Sequence, residues 1–226
     1  MGVYMDLATI RKIASFTFWY IIWTNLWYLV VIPDFYQKWN LLALLILSTA
    51  IGFFDHIFRP IKEEKVIIDK YLGILLLLFI GNPFLGILSF YENQLFVSKI
   101  APLWDNFLIH TLGLLFVAVG GIITVTGRYQ LGKYATGMIC IQEEHKLITR
   151  GIFKYVRHPI YSGGVISAIG IQLCFATLVM LLIYPCLVFY VVNIRLIHEE
   201  DLLIQRFGDQ YRVYQQKSKK LLPFLY

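Results

Sequence analysis

The run Gly163 to Ile194, GGVISAIGIQLCFATLVMLLIYPCLVFYVVNI, carries no charge over 32 residues. As a single α-helix it would be about 48 Å long at 1.5 Å per residue, against a hydrocarbon core about 30 Å thick. It is therefore either one long tilted helix or a tight hairpin turning near Phe175-Ala176-Thr177. A first arm from Pro159 to Phe175 would be only about 25 Å long and would fall short of the far surface. The choice decides on which side of the membrane the last thirty-odd residues lie.

Four further apolar spans precede this run: Ile13 to Ile32, Asn40 to Phe58, Val66 to Phe90 and Leu103 to Thr126. Gly81-Asn82-Pro83 interrupts the third and is expected to kink it, because proline removes a backbone donor and crowds the preceding turn. With a hairpin there are six crossings. If the N-terminus is inside, every Lys and Arg of the 20 except Lys38 and Lys99 then lies on the inner side, as the positive-inside rule requires. A single tilted helix would instead put the basic residues after Arg195 opposite those between Arg128 and Arg157. The charge pattern thus selects the hairpin, with both termini inside.

Composition agrees, with 58% hydrophobic and 15% charged residues. The expected class is an all-α integral membrane protein of about six transmembrane helices, the last two forming a tight hairpin. Residues 1–126 supply four spans, and residues 127–226 supply the hairpin and the polar segments. The first apolar run exceeds a signal-peptide core and lacks a small-residue cleavage site, so it is expected to be retained. A net charge of +6 beside membrane spans reflects topology and anionic headgroups; no nucleic-acid motif accompanies it. Cys140, Cys174 and Cys186 lack metal-binding spacing, and no metal site is expected. Trp19, Trp23 and Trp27 form a packing or lipid-facing stripe, and Asp55-His56 either an interfacial polar pair or a pair facing the site.

The six-crossing topology gathers two long polar segments on one face, Gly127 to Gly163 and Arg195 to Tyr226. Long loops in compact proteins are usually functional. The first contains His145-Lys-Leu-Ile-Thr-Arg-Gly151 and Arg157-His158-Pro159-Ile160-Tyr161. Pro159 suits a first helical turn, and the segment is either a basic loop leading into a membrane helix or a site where the free N–H groups of that turn, with Arg157 and His158 beside them, hold a carboxylate. The second contains Arg195 and Glu199, four apart and so on one helical face, followed by Phe207-Gly208-Asp-Gln-Tyr211-Arg-Val-Tyr214. They form either an ordinary i, i+4 ion pair or the lining of a polar cavity directly below an apolar span.

Together the two segments resemble the isoprenylcysteine carboxyl methyltransferase family and its prokaryotic relatives. The shared pattern is Arg-His-Pro-x-Tyr, then a paired glutamate, then Phe-Gly-x-x-Tyr-x-x-Tyr, from about Gly127 to Phe224. The resemblance implies S-adenosylmethionine as cofactor. It implies that His145, Lys146, Leu147, Ile148, Phe153, His158, Pro159, Ile160 and Tyr161 contact the cofactor and that Glu199 lies near its charged end. Arg195 falls where the family places the arginine that holds the substrate carboxylate. Arg195 and Glu199 are thus the expected catalytic pair. Phe153 departs from the tyrosine frequent in eukaryotic members, which removes a hydroxyl.

A sulfonium carries its methyl ready for attack and a carboxylate is already anionic, so the protein's main task is positioning. The implied partners are the bilayer and a prenylated or similar lipid-soluble acceptor. The implied location is the cytoplasmic membrane of a prokaryote or the endoplasmic reticulum of a eukaryote. Two other classes compete. A membrane NADPH-dependent reductase of the sterol-reductase type shares such His, Arg and Tyr clusters. A transporter is disfavoured by uncharged span interiors.

Overall fold

The computed structural model describes residues 15, 28, 30–32, 34–58, 72–135 and 146–221. Most of the Ile13 to Ile32 span, the tryptophan stripe, Cys140 and His145 lie outside the described residues. Helix is the dominant regular structure: α1 (Trp39–Ile57), α2 (Leu72–Glu92), α3 (Phe107–Leu131), α4 (Pro159–Cys174), α5 (Val179–Phe207) and α6 (Asp209–Lys217). A π-helical turn, Asn93–Val97, continues α2. Among the described residues, α1, α3 with its following 3-10 turn, and α5 are long and apolar enough to cross a membrane; α4 is apolar but shorter.

The hydropathy boundaries hold where lipid sets them and shift where charge was used to mark an end. The Asn40 to Phe58 span corresponds to α1 within a residue. Helix α2 runs through Pro83, and Asn82 accepts a hydrogen bond from the Tyr184 hydroxyl at 2.9 Å. Helix α3 starts later than Leu103, where Asn106 caps the amides of Leu108 and Ile109. It continues past Thr126 to Leu131, so the first part of the expected 127–163 loop is helix. Arg128 is accommodated there because it is buried and paired with Asp55 of α1. Likewise α5 runs past Ile194 to Phe207, and Arg195 lies inside the helix.

Among the described residues, helices α3 and α4 make the most extensive contact, and its cause is a glycine register. Gly113, Gly120 and Gly127 recur every seven residues on α3, and the first two meet Gly170 and Gly163, also seven apart, on α4. A Cβ at Gly113 would lie 2.6 Å from the Cys174 amide nitrogen, and one at Gly170 2.6 Å from the Gly113 carbonyl oxygen. Only hydrogen side chains allow this backbone-to-backbone approach, the small-residue packing typical of membrane helices. Gly127 receives the Pro159 and Ile160 side chains, so the start of α4 is set against α3.

Between α4 and α5 the chain reverses over residues 175–178, with Ala176 at φ 49°. A reversal between apolar helices leaves backbone groups without helical partners, and these must be satisfied locally. Asn40 donates to the Cys174 carbonyl at 2.8 Å, and the Trp104 indole donates to the Thr177 carbonyl at 3.2 Å. The Glu92 carboxylate accepts from the amides of Leu178, Val179 and Met180 at 2.7–2.9 Å. That carboxylate caps the N-terminus of α5, where the helix dipole favours negative charge.

Candidate functional site

At the opposite end of the α4–α5 pair lies a cluster of charged and phenolic side chains. His158 caps the start of α4 and is buried. Tyr161 sits one turn further along. Arg195, Glu199 and Glu200 descend the facing side of α5. Because Arg195 and Glu199 are one helical turn apart, a single group between them can reach both. Tyr161 is that group. Arg195 Nε donates to the Tyr161 hydroxyl at 2.7 Å, and the hydroxyl donates to Glu199 Oε2 at 2.9 Å. Arg195 is buried, whereas the Glu199 side chain keeps 29% of its surface exposed.

His158 lies between the two glutamates. Its Nε2 is 3.2 Å from Glu200 Oε1, and its Nδ1 is 3.6 Å from Glu199 Oε1. Burial pushes its pKa down, but the hydrogen bonds and negative charges of Glu199 and Glu200 outweigh that effect and hold it above its ordinary value. Arg157 donates from Nε to Glu200 Oε1 at 2.9 Å and from Nη1 to the carbonyls of Gln215 and Ser218. Arg157 and His158, expected from the sequence to flank a bound carboxylate, here contact protein carboxylates.

The C-terminal segment closes the cluster. The amides of Arg157 and His158 donate to the Lys219 and Lys220 carbonyls, and Lys219 N donates back to Tyr155 O at 2.9 Å. Ser162 Oγ donates to the Leu221 carbonyl. From α6, Tyr211 donates to Glu200 Oε1 at 3.3 Å and Tyr214 to the Phe153 carbonyl at 2.6 Å. Burial raises both phenols, Tyr214 to about 12, so both remain donors.

The other sequence-derived residues divide into two groups. Phe153 is buried in the 3-10 turn Gly151–Lys154 and is held through its carbonyl by Tyr214. Leu147 and Thr149 line an open groove of about 570 Å³ with Asp209, Gln210 and Val213 of α6. Lys146 and Ile148 flank Leu147 in the same stretch, which has no regular secondary structure. The side chains of Pro159 and Ile160 turn to Gly127 instead. From the sequence, Arg157 is expected only beside a bound carboxylate, and Glu200, Tyr211 and Tyr214 are read as parts of the motif and not as site residues. The signal for them was present in the sequence, as Arg157 precedes His158 and Glu200 follows Glu199 directly.

The fold is similar to that of a solved membrane enzyme. The structure of a eukaryotic intramembrane Ras methyltransferase, isoprenylcysteine carboxyl methyltransferase, superposes with a TM-score of 0.52 over 98% of this chain and 99% of that one, at 18% identity. At that identity the likeness concerns the fold. Residues 108–210 match the family model of phospholipid methyltransferases.

In sequence, part of the chain is similar to protein-S-isoprenylcysteine O-methyltransferases. It is 32% identical over 123 residues to a probable such enzyme of Oryza sativa subsp. indica, covering 54% of this chain and 64% of the relative. It is 33% identical over 119 residues to protein-S-isoprenylcysteine O-methyltransferase B of Arabidopsis thaliana, covering 52% and 60%. The chain thus spans less than two thirds of the length of these curated relatives. Fold and relatives together make it an integral membrane protein.

Proposed function

We propose that this protein is a membrane S-adenosylmethionine-dependent methyltransferase that methylates the carboxylate of an isoprenylcysteine or a similar lipid-soluble acceptor. The observation that carries the reading is the Arg195–Tyr161–Glu199 chain of hydrogen bonds. It puts a buried guanidinium and a partly exposed carboxylate one helical turn apart. That spacing suits a reaction between an anionic acceptor and a cationic methyl donor.

The residues present fit such a donor. Glu199 offers an accessible carboxylate to a positive centre, and the groove beside Leu147 and Thr149 offers apolar and hydroxyl surface for an adenosine-sized group. His158 is a second contact through the start of α4. When bound, S-adenosylmethionine supplies an activated methyl on sulfur. The protein's own residues orient and neutralise. Arg195 presents guanidinium donors to the acceptor carboxylate in a water-poor environment, where charge-assisted hydrogen bonds are strong. Tyr161 fixes the Arg195 side chain from one side and Glu199 from the other. No strong base is required, because the acceptor is ionised at neutral pH.

Six crossings with both termini inside would bring the polar donor from the inner face and the lipid-tailed acceptor laterally between helices. The lengths of α1, α3 and α5 support this topology, as does the reversal at 175–178. Calorimetry of the detergent-purified protein with S-adenosylmethionine and with NADPH tests the reading, with Glu199→Ala as control. Micromolar binding of S-adenosylmethionine that the variant loses, followed by methyl transfer to farnesylcysteine, is expected. Binding of NADPH alone would overturn it in favour of a reductase.

A further inference from the structure

Glu200 has three donors on one oxygen and none of them comes from its own helix. Oε1 lies 2.9 Å from Arg157 Nε, 3.2 Å from His158 Nε2 and 3.3 Å from the Tyr211 hydroxyl. These donors belong to the segment before α4 and to α6, so one carboxylate of α5 gathers three parts of the chain. Arg157 extends the arrangement to the C-terminal segment through the Gln215 and Ser218 carbonyls. Both side chains are largely buried, at 10% and 13% exposure. A surface ion pair contributes little; a buried carboxylate with three donors is held in one place.

The consequence falls on His158. With Nε2 fixed on Glu200, the ring plane is set and Nδ1 is turned to Glu199. An imidazole can donate from both nitrogens only when protonated, and a negative charge at Glu200 favours that form. We propose that Arg157 and Glu200 are positioning residues: their ion pair, completed by Tyr211, locks His158 in the orientation that directs its second nitrogen to Glu199 and so sets the cofactor-facing carboxylate. This rests on the methyltransferase reading, in which Glu199 meets the donor's charged end.

Among the described residues, the groups that face His158 are few. Glu199 and Glu200 come from α5, with Arg195 behind them through Tyr161; Tyr161 comes from α4, Tyr211 from α6 through Glu200, and Arg157 precedes it in the chain. The C-terminal segment supplies the Lys220 carbonyl to its amide. Glu200→Gln removes the one negative charge on Nε2 while keeping an acceptor for all three donors.

The test is a titration of the detergent-purified protein labelled with carbon-13 at histidine Cε1, the His158 signal being assigned by its loss in His158→Gln. In the unsubstituted protein His158 is expected to titrate above its ordinary pKa, and in Glu200→Gln at a lower pH than in the unsubstituted protein. Affinity for S-adenosylmethionine at pH 7.5, measured on the same samples, is expected to fall about tenfold in Glu200→Gln and in Arg157→Lys, and to recover in part in Glu200→Gln as the pH is lowered. Circular dichroism and size-exclusion elution establish that each variant is folded. Should Glu200→Gln fail to fold, Arg157→Lys carries the same comparison, since it leaves Glu200 charged but frees it from the tail.

A His158 midpoint that does not move in either variant overturns the proposal. So does a midpoint that moves while cofactor affinity stays within twofold. If the unsubstituted protein binds no S-adenosylmethionine, the methyltransferase reading itself fails and takes the cofactor role of Glu200 with it. The titration identifies that case separately, because the shift of His158 does not depend on any ligand.

Discussion

Arg195 donates to the hydroxyl of Tyr161 at 2.7 Å, across the interface between α5 and α4. A buried guanidinium is thereby oriented by a neutral phenol that also donates to Glu199. A direct Arg195–Glu199 pair would leave the arginine half-neutralised by its own helix. With the phenol interposed, the guanidinium and the Glu199 carboxylate are held apart and oriented through a single hydroxyl.

Tyr161→Phe keeps the ring and deletes the bridge. Hydrogen bonds to charged groups contribute about 1.5–3 kcal/mol, so the expected loss in kcat/KM for methyl transfer is about 10- to 100-fold. The helical circular dichroism spectrum should be unchanged. An activity within threefold of the unsubstituted protein would show that the bridge does not position either partner.

The α3–α4 contact makes a different prediction, about folding. Gly170→Ala places a methyl against the Gly113 carbonyl oxygen and the Val117 amide nitrogen, at 2.6 and 2.7 Å, and both are backbone atoms that cannot turn aside. Overpacking of this kind costs about 1–3 kcal/mol. Among the described residues, an added Cβ at Gly164, on the same helix, meets no atom within 4 Å outside the helix's own backbone. The midpoint of thermal unfolding in detergent should therefore fall by several degrees in Gly170→Ala and stay in place in Gly164→Ala. Equal midpoints would contradict the glycine register.

What the sequence disclosed and what it hid follow from how charge was read. Apolar length set α1 within a residue, because lipid thickness constrains a helix directly. Arg128 and Arg195 were read as the ends of spans, yet both lie within helices. A charge ends an apolar helix only when it must reach water, and these two are buried beside Asp55 and Tyr161. Arg195, Glu199, His158 and Tyr161 do converge, as their helical spacing and the hairpin suggest. The Arg157–Glu200 pair could not be read, since its partners stand 43 residues apart and their contact depends on how α4 meets α5. The seven-residue glycine spacing was visible, but it acquires meaning only once two such stripes are known to face each other.

Asp55 and Arg128 tie α1 to α3 with side chains only 13% and 8% exposed. Arg128 also donates to the Ala135 carbonyl at 3.2 Å, which anchors the chain leaving α3. Removing one partner of such a pair leaves a buried charge and costs about 3–5 kcal/mol. Asp55→Leu alone should thus lower the unfolding midpoint strongly. Combining it with Arg128→Met should restore much of the loss, because the unpaired charge disappears. A double variant as unstable as the sum of the two single ones would mean that the residues act independently.

The raised pKa of His158 predicts how stability depends on pH. A group whose folded-state pKa lies above its unfolded value binds its proton more tightly in the folded protein. Its contribution is fully present below about pH 6.5, the ordinary histidine value, and is lost as pH rises through the folded-state pKa. Glu199 and Glu200 are the source of that preference, so the effect should need both His158 and the carboxylates. Comparing thermal midpoints of the unsubstituted protein and His158→Gln from pH 5.5 to 9 isolates it. The difference between them should be largest at the acid end and shrink above neutrality. A difference that stays constant across the range would mean that His158 is held in the same protonation state in the folded and unfolded protein, and that the two glutamates do not bias it.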